Sequence, residues 1–152
     1  MDPGIDHLEA MRVINEAKEK GGEVISFISW CGGLPAPESS NNPLAYKFSW
    51  SPKGVLLAGK NGAVYKKGNR VIEYAPGTIF KNKEKVSIFP GFNLEGYKNR
   101  DSISYIEKYG LKGPKTFFRG TLRYSGFCDV LDAITSVIFI FLFFYFLFLF
   151  II

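Results

Sequence analysis

The chain has 152 residues, room for one domain with a modest core, and its 19 basic against 14 acidic residues leave a net charge of +5 and a pI near 9.2, a balance that suits a partner bearing carboxylates. The basic residues are scattered from Arg12 to Arg123 with no Lys/Arg cluster interleaved with aromatics, which argues against a nucleic-acid track. Two cysteines, Cys31 and Cys128, and the single histidine, His7, make no CxxC or HxxxH spacing, so no metal site is expected and the cysteines are read as thiols in a reducing compartment rather than as a disulfide.

No signal or transit peptide opens the chain. Asp2-Pro3-Gly4 is a turn with a helix-start signal, and Ile5, Leu8, Met11, Ile14 and Ala17 then recur at three- to four-residue steps, predicting a helix to Lys20 that Gly21-Gly22 ends. Residues 23–29 (EVISFIS) read as a strand, so a helix-to-strand unit comes first. From Ser29 to Val55 follows a long stretch rich in glycine and proline (SWCGGLPAPESSNNPLAYKFSWSPKGV). Loops of this length are uncommon inside a domain and are usually functional. The bulk of Trp30, Leu34, Tyr46, Phe48 and Trp50 argues that it is ordered.

Within that stretch Tyr46–Trp50 reads as a short strand, and Ser51-Pro52 as a cap with proline at the first helical position. Ala63–Tyr65 and Val71–Tyr74 flank Lys67-Gly68-Asn69 as a hairpin. Val86–Phe89 is a further strand, and Pro90-Gly91 opens a second irregular loop to Asn99. Asp101 or Ser102 caps a short helix to Tyr109, closed by Gly110. Thr116–Tyr124 alternates as a strand, and Cys128–Ile134 is a last amphipathic piece. Strands in hairpin and crossover contexts together predict an α+β fold, a mixed sheet with helices on one face, over residues 1–136.

Residues 137–152 (VIFIFLFFYFLFLFII) are drawn from five apolar types. The run is a little short of a typical span of about 20 residues, though it reaches that length from Ala133. Two readings stand: a membrane segment, or a non-coding or frame-shifted stretch read as protein. A chain ending at Ser136 is expected to be the more soluble form.

Four separated segments carry a resemblance: MDPGIDH at 1–7, CGGLPAPESSNNPL with YKFSWSPKGVLLA at 31–58, PGFNLEGYKNRDS at 90–102 and FRGTLRYSGF at 118–127. In this order they resemble saccharopine dehydrogenase over roughly residues 1–134. The resemblance implies an oxidoreductase of lysine metabolism that uses NAD or NADP to oxidise the secondary amine of saccharopine. The imine that forms is cleaved by water to glutamate and 2-aminoadipate 6-semialdehyde. It also implies a cytoplasmic or mitochondrial location, with a membrane location only if the apolar tail is an anchor.

By the same resemblance Arg100, Thr121, Leu122 and Arg123 line the saccharopine pocket. The arginines clamp carboxylates, for which a planar and permanently charged guanidinium is suited. Thr121 and Arg123 lie two apart on a strand and share a face, so Leu122 contributes its backbone. Asp2 accepts from a substrate amine, Met1, Asp2 and Pro3 skirt the nicotinamide, and Ser51 is a further dinucleotide contact, although Ser before Pro is equally an ordinary helix cap. His7 is read as structural, and no residue is assigned to acid–base catalysis.

Two departures qualify this. No G-x-G occurs, so the Gly-rich turn that holds a dinucleotide pyrophosphate is missing. The apolar tail also stands where the family continues with a soluble helical segment. The expectation is a part of the enzyme, inactive alone, whose partner is a dinucleotide-binding half or a full-length copy. The rival expectations are a non-catalytic remnant and a membrane-anchored module that binds a carboxylate ligand or a partner protein.

Overall fold

The computed structural model describes residues 4–137. Met1, Asp2 and Pro3, and the apolar tail beyond Val137, lie outside the described residues. The first helix, α1, spans Ile5–Glu19. It turns Ala10 and Ile14 inward at i,i+4 spacing, while Glu9, Arg12, Glu16 and Lys20 pair along its outer face. Gly21, at φ 74°, carries the chain out of it. Strand β1 (Ser26–Cys31) follows. The long stretch after it is ordered and includes one 3-10 turn at Pro37–Ser39.

Helix α2 is Pro52–Ala58, capped by Ser51, whose Oγ accepts from Gly54 N. Strands β2 (Ala63–Lys67) and β3 (Arg70–Tyr74) form the expected hairpin. Gly68 and Asn69 between them both have positive φ, as a two-residue hairpin turn that follows strand twist requires. Next come β4 (Glu84–Val86), β5 (Leu94–Lys98), α3 (Ser104–Lys108) and the nine-residue β6 (Thr116–Tyr124). A final helix, α4, covers residues 127–137.

Strand β6 is the axis of a six-stranded mixed sheet. On one side it pairs in parallel with β1, from Ser26↔Thr116 to Cys31↔Thr121. On the other side it pairs antiparallel with β5 over Gly120–Tyr124, and with β2 at Lys66↔Phe117. Strands β3 and β4 extend the sheet beyond β2 and β5.

Alternation along β6 gives the sheet two unlike faces. Phe117, Arg119, Thr121 and Arg123 look one way, and all four helices pack on that side. Ala10, Ile14 and Tyr109 close on Phe117, and Val55, Phe127 and Leu131 close on Tyr97. Phe118, Gly120 and Leu122 look the other way, where Leu122 packs with Val86 and Leu94 under Trp30 and Leu34. The α+β arrangement with helices on one face is therefore observed.

Four boundaries differ from expectation. Tyr46–Trp50 is not a strand: Tyr46 N donates to Asn42 Oδ1, Tyr46 is buried and Phe48 and Trp50 are exposed, so aromatic content here reflects packing and not pairing. Strand β1 begins at Ser26 rather than residue 23, and β4 ends at Val86 rather than beginning there. Strand β5 falls in a stretch read as loop, because Gly96 and the charges of Glu95 and Lys98 hide a fully buried strand. The Trp30 ring takes the place of the missing Gly96 side chain, lying 2.4 Å from where a Cβ would stand. Among the described residues no helix is long and apolar enough to cross a membrane.

Candidate functional site

A cleft of about 1280 Å³ opens on the helix-bearing face, somewhat larger than the roughly 300–1,000 Å³ of ordinary small-molecule sites. Its floor is β6, which presents Arg119, Thr121 and Arg123, with Tyr97 from β5 and Asn99 and Arg100 just beyond it. One wall is the stretch after β1, through Gly32, Tyr46 and Trp50. The other is α3, through Ser104, Tyr105 and Lys108.

Arg123 is buried at 6% exposure. Its guanidinium lies 4.9 Å from the Tyr46 ring centre and 5.2 Å from that of Phe127, a cation–π arrangement that fixes its plane. Nη1 donates to Leu122 O at 2.8 Å, while Nε is buried with no hydrogen-bond partner. No carboxylate pairs with Arg123 within salt-bridge distance among the described residues. A buried guanidinium that lines a cleft with no carboxylate beside it is suited to an anion, because an unsatisfied charged donor carries a desolvation penalty that a carboxylate can offset.

The long stretch is shaped to make this site. Asn42 Oδ1 accepts from the N–H groups of Leu44 and Tyr46, with Ala45 in the left-handed region at φ 46°, and this turn lays Tyr46 over Arg123. At Gly32 a Cβ would stand 2.1 Å from Leu122 O and 3.0 Å from Arg123 Nη1. Only a residue without a side chain lets the backbone come this close to β6. Tyr124 Oη donates to Pro35 O at 3.0 Å and ties the same stretch down.

Of the residues expected at the site, Arg100, Thr121 and Arg123 all line this one cleft. Thr121 Oγ1 donates to Asn99 Oδ1 at 2.7 Å. Leu122 is not among the cleft-lining residues: its carbonyl accepts from Arg123 Nη1, and its side chain is buried on the opposite face. Ser51 is not among the cleft-lining residues, although its neighbours Trp50 and Gly54 along the chain are. Its hydroxyl caps α2. Met1, Asp2 and Pro3 lie outside the described residues. His7 is hydrogen-bonded to Tyr109 Oη at 2.6 Å and stacks on Tyr105, in keeping with a structural role.

Sequence reasoning missed Tyr46, Asn99, Tyr105 and the working environment of Arg119. Arg119 carried a signal, since it shares the alternation of Thr121 and Arg123. Tyr46 carried none, because its place depends on a loop geometry set by Asn42.

The cleft is electropositive. Arg100, Lys108, Arg119 and Arg123 face Asp101 as the one acidic residue among the described lining residues. Burial alone would raise the Asp101 carboxyl, yet hydrogen bonds from Ser104 and the nearby Lys108 charge hold it below the usual carboxylate range. Lys98 lends its backbone to the cleft's strand but turns its ammonium to the other face. There it contacts Glu84 at 2.7 Å and lies 4.0 Å from the Phe118 ring centre, and burial lowers its pKa in spite of Glu84.

No group of His, Cys, Asp and Glu among the described residues is arranged to hold a metal ion. Nor do these residues fit a dinucleotide by themselves. The Ser51 hydroxyl already accepts from Gly54 N, and no Gly-rich strand-to-helix turn is present.

Residues 1–139 match the sequence model of the family described as saccharopine dehydrogenase C-terminal domain. The chain is 50% identical over 138 residues to mouse mitochondrial alpha-aminoadipic semialdehyde synthase, covering 90% of this chain and 15% of that protein. It is 45% identical over 140 residues to the Schizosaccharomyces pombe saccharopine dehydrogenase named as NADP(+)-dependent and L-glutamate-forming, covering 92% of this chain and 31% of that one. The solved structure of apo histidine-tagged saccharopine dehydrogenase (L-Glu forming) from Saccharomyces cerevisiae superimposes with a TM-score of 0.79 at 46% identity, over 86% of this chain and 29% of that one. The chain thus spans less than a third of each of these relatives.

Proposed function

The chain belongs to the saccharopine dehydrogenase family, to its C-terminal domain, and on that premise we propose that it is the substrate-binding part of an enzyme of lysine metabolism that oxidises saccharopine with NAD or NADP. The observation that carries this is Arg123: a buried guanidinium set against the Tyr46 and Phe127 rings, with its Nε unpartnered, lining a cleft that also holds Arg100 and Thr121. Saccharopine has three carboxylates, so a cleft lined by several cations and one carboxylate suits it. Arg123 and Arg100 take carboxylates, and the Thr121 hydroxyl and the Leu122 backbone complete the fit. Asp2 accepts from a substrate amine.

The reaction assigned to the completed enzyme is oxidation of saccharopine to glutamate and 2-aminoadipate 6-semialdehyde. The nicotinamide is bound chiefly by a dinucleotide-binding half that this chain meets at Met1, Asp2, Pro3 and Ser51. The residues described above bind and orient the substrate. In cells the protein works in the cytoplasm or in mitochondria, the latter being the compartment named for its mouse relative.

The test uses the 152-residue chain. Titration calorimetry with saccharopine shows binding that Arg123→Ala abolishes, and absorbance at the reduced-nicotinamide band shows no turnover with NAD or NADP, because hydride transfer needs both reactants held within about 3.5 Å. Turnover that tracks protein concentration would overturn the need for a second half. Absence of saccharopine binding at millimolar concentration would overturn the substrate assignment and favour a non-catalytic remnant.

A further inference from the structure

Asp101 is the one carboxylate among the described residues that line the cleft, and Arg100, Lys108, Arg119 and Arg123 line it too. It forms an ion pair with none of them among the described residues. Arg119 is taken by Asp6 at 2.9 Å, and the Lys108 ammonium lies 4.3 Å from the centre of the Tyr105 ring. Arg123 is set against the rings of Tyr46 and Phe127. A carboxylate that served only to offset this positive charge would sit against a guanidinium or an ammonium. Asp101 is instead exposed. Burial would raise its carboxyl, yet hydrogen bonds from Ser104 and Ile103 and the Lys108 charge hold it below its ordinary 3.8, so it is ionised at neutral pH.

Its place is fixed from three sides. Arg100 O accepts from Val64 N at 2.7 Å and Ser102 N donates to Val64 O at 2.9 Å, which makes an isolated parallel bridge between Asp101 and Val64 of β2. Ser102 is fully buried, and its Oγ accepts from Arg119 N of β6 at 3.0 Å. The carboxylate itself is oriented by α3, since Oδ1 accepts from Ser104 N at 3.1 Å. A carboxylate has about four lone-pair sites, so acceptor capacity remains toward the cleft's solvent. Holding the first turn of a five-residue helix needs only a neutral oxygen, which serine or asparagine would supply. It does not call for a negative charge in a cleft suited to anions. That charge repels a ligand with carboxylates alone, and the repulsion becomes attraction when the ligand brings a positive group of its own.

We propose that Asp101 is a specificity-determining residue: it accepts from the ammonium of a ligand whose carboxylates the arginines hold, so that the cleft selects amino acids over carboxylates without an amine. This rests on the carboxylate reading of the cleft given above, and on no particular substrate. Arg100 and Asp101 follow one another in the chain, with Cα atoms about 3.8 Å apart, and an α-amino acid carries its two opposite charges on one carbon. The cleft thus offers both signs side by side where such a ligand presents both.

The experiment is calorimetry on the 152-residue chain with L-glutamate and with glutarate, the same dicarboxylate without the amine. The quantity read is the ratio of the two affinities. Asp101→Asn keeps an oxygen that accepts from Ser104 N and removes the charge, and it should lower the glutamate-to-glutarate ratio by about tenfold. Glu107→Gln, which removes a charge from an exposed position on α3 outside the cleft, should leave the ratio unchanged, and Arg123→Ala should weaken both ligands. Amide hydrogen exchange over residues 104–109 should be the same in Asp101→Asn as in the wild type, which separates recognition from support of the helix. An unchanged ratio in Asp101→Asn, an equal shift in Glu107→Gln, or a fall that comes only with faster exchange over α3 would each overturn the proposal. If Asp101→Asn does not fold, Asp101→Ser makes the same comparison. A wild-type chain that binds neither compound at millimolar concentration overturns the carboxylate reading and the proposal with it, whereas binding of both with a ratio that Asp101→Asn does not move overturns the proposal alone.

Discussion

Arg123 Nη1 donates to the carbonyl of Leu122, the residue immediately before it, at 2.8 Å. This bond holds the guanidinium by one corner, and Nε is buried without a partner, so the group keeps hydrogen-bonding capacity that the fold does not use. The recognition this allows depends on shape as well as charge.

Arg123→Ala is therefore expected to weaken saccharopine binding by about 2–5 kcal/mol, and Arg123→Lys to recover only part, since an ammonium cannot both hold Leu122 O and present a planar edge. Arg100→Ala should weaken binding in the same direction. Lys60→Ala, outside the cleft, is the comparison, and calorimetry is the measurement. Equal losses at all three positions would show general destabilisation.

Gly32→Ala should damage the site without touching a ligand contact. A Cβ there would stand 2.1 Å from Leu122 O, so the stretch after β1 must lift from β6 and carry Tyr46 away from Arg123. The expected outcome is a loss of saccharopine affinity comparable to that of Tyr46→Ala, with a fall in stability of about 1–3 kcal/mol in urea titration.

Trp30 lies over two cross-strand glycines. A Cβ at Gly120 would meet its ring at 2.2 Å, and one at Gly96 at 2.4 Å. Gly120→Ala should destabilise by about 1–3 kcal/mol through overpacking. In the Trp30→Leu background the same substitution should cost measurably less, a non-additivity that shows the glycine is there for the indole. Urea denaturation of the two singles and the double measures it.

Acid should loosen the start of α1 first. Burial raises the Asp6 carboxyl, but the hydrogen bond from Arg119 and the His7 and Arg119 charges outweigh it and hold the group below its ordinary 3.8. A carboxyl with a depressed folded-state pKa contributes stability that is fully present above its unfolded value and is lost as pH falls through the folded one. Asp6→Asn should thus be less stable than the wild type by about 2–4 kcal/mol near pH 6, with the gap closing below pH 3.8. Thermal melts of both proteins between pH 2 and pH 7 read this directly.

Helix α4 is anchored by a carboxylate from the sheet. Glu95 Oε1 accepts from Cys128 N at 2.7 Å, both being buried, and Lys83 lies 3.8 Å from Glu95 Oε2. Glu95→Ala leaves the buried Cys128 N–H without an acceptor and should cost about 1–3 kcal/mol, whereas Glu95→Gln, which keeps an acceptor, should cost less. Hydrogen exchange over residues 128–134 should rise in step with these losses.

The sequence by itself determined the elements whose periodicity is local. Ile5 through Ala17 repeat at helical spacing, Gly68-Asn69 turn a hairpin, and Thr116–Tyr124 alternate, so α1, the β2–β3 pair and β6 were legible as elements, although Ile5 and Leu8 of the α1 stripe are exposed and Ala10, outside it, is buried. It also determined the chemistry on offer: arginines in unusual motifs, no Gly-rich turn, and a long stretch too rich in aromatics to be disordered. That Arg119, Thr121 and Arg123 share a face followed from strand alternation alone.

Only the tertiary structure decided what those residues do. Strand β5 was unreadable because its Gly96 is completed by Trp30, a side chain from β1 that fills the space a local side chain would otherwise occupy. Tyr46 read as a strand residue because propensity reports bulk and not pairing, and Asn42 places it over Arg123 instead. The two arginines of FRGTLRY are alike as letters. They differ because Asp6, from the other end of the chain, reaches Arg119, whereas Arg123 is met by the Tyr46 and Phe127 rings and its neighbour's carbonyl. Which charge is bound within the fold and which is left to bind a ligand is a matter of distance across the fold, and distance of that kind is not a property of sequence spacing.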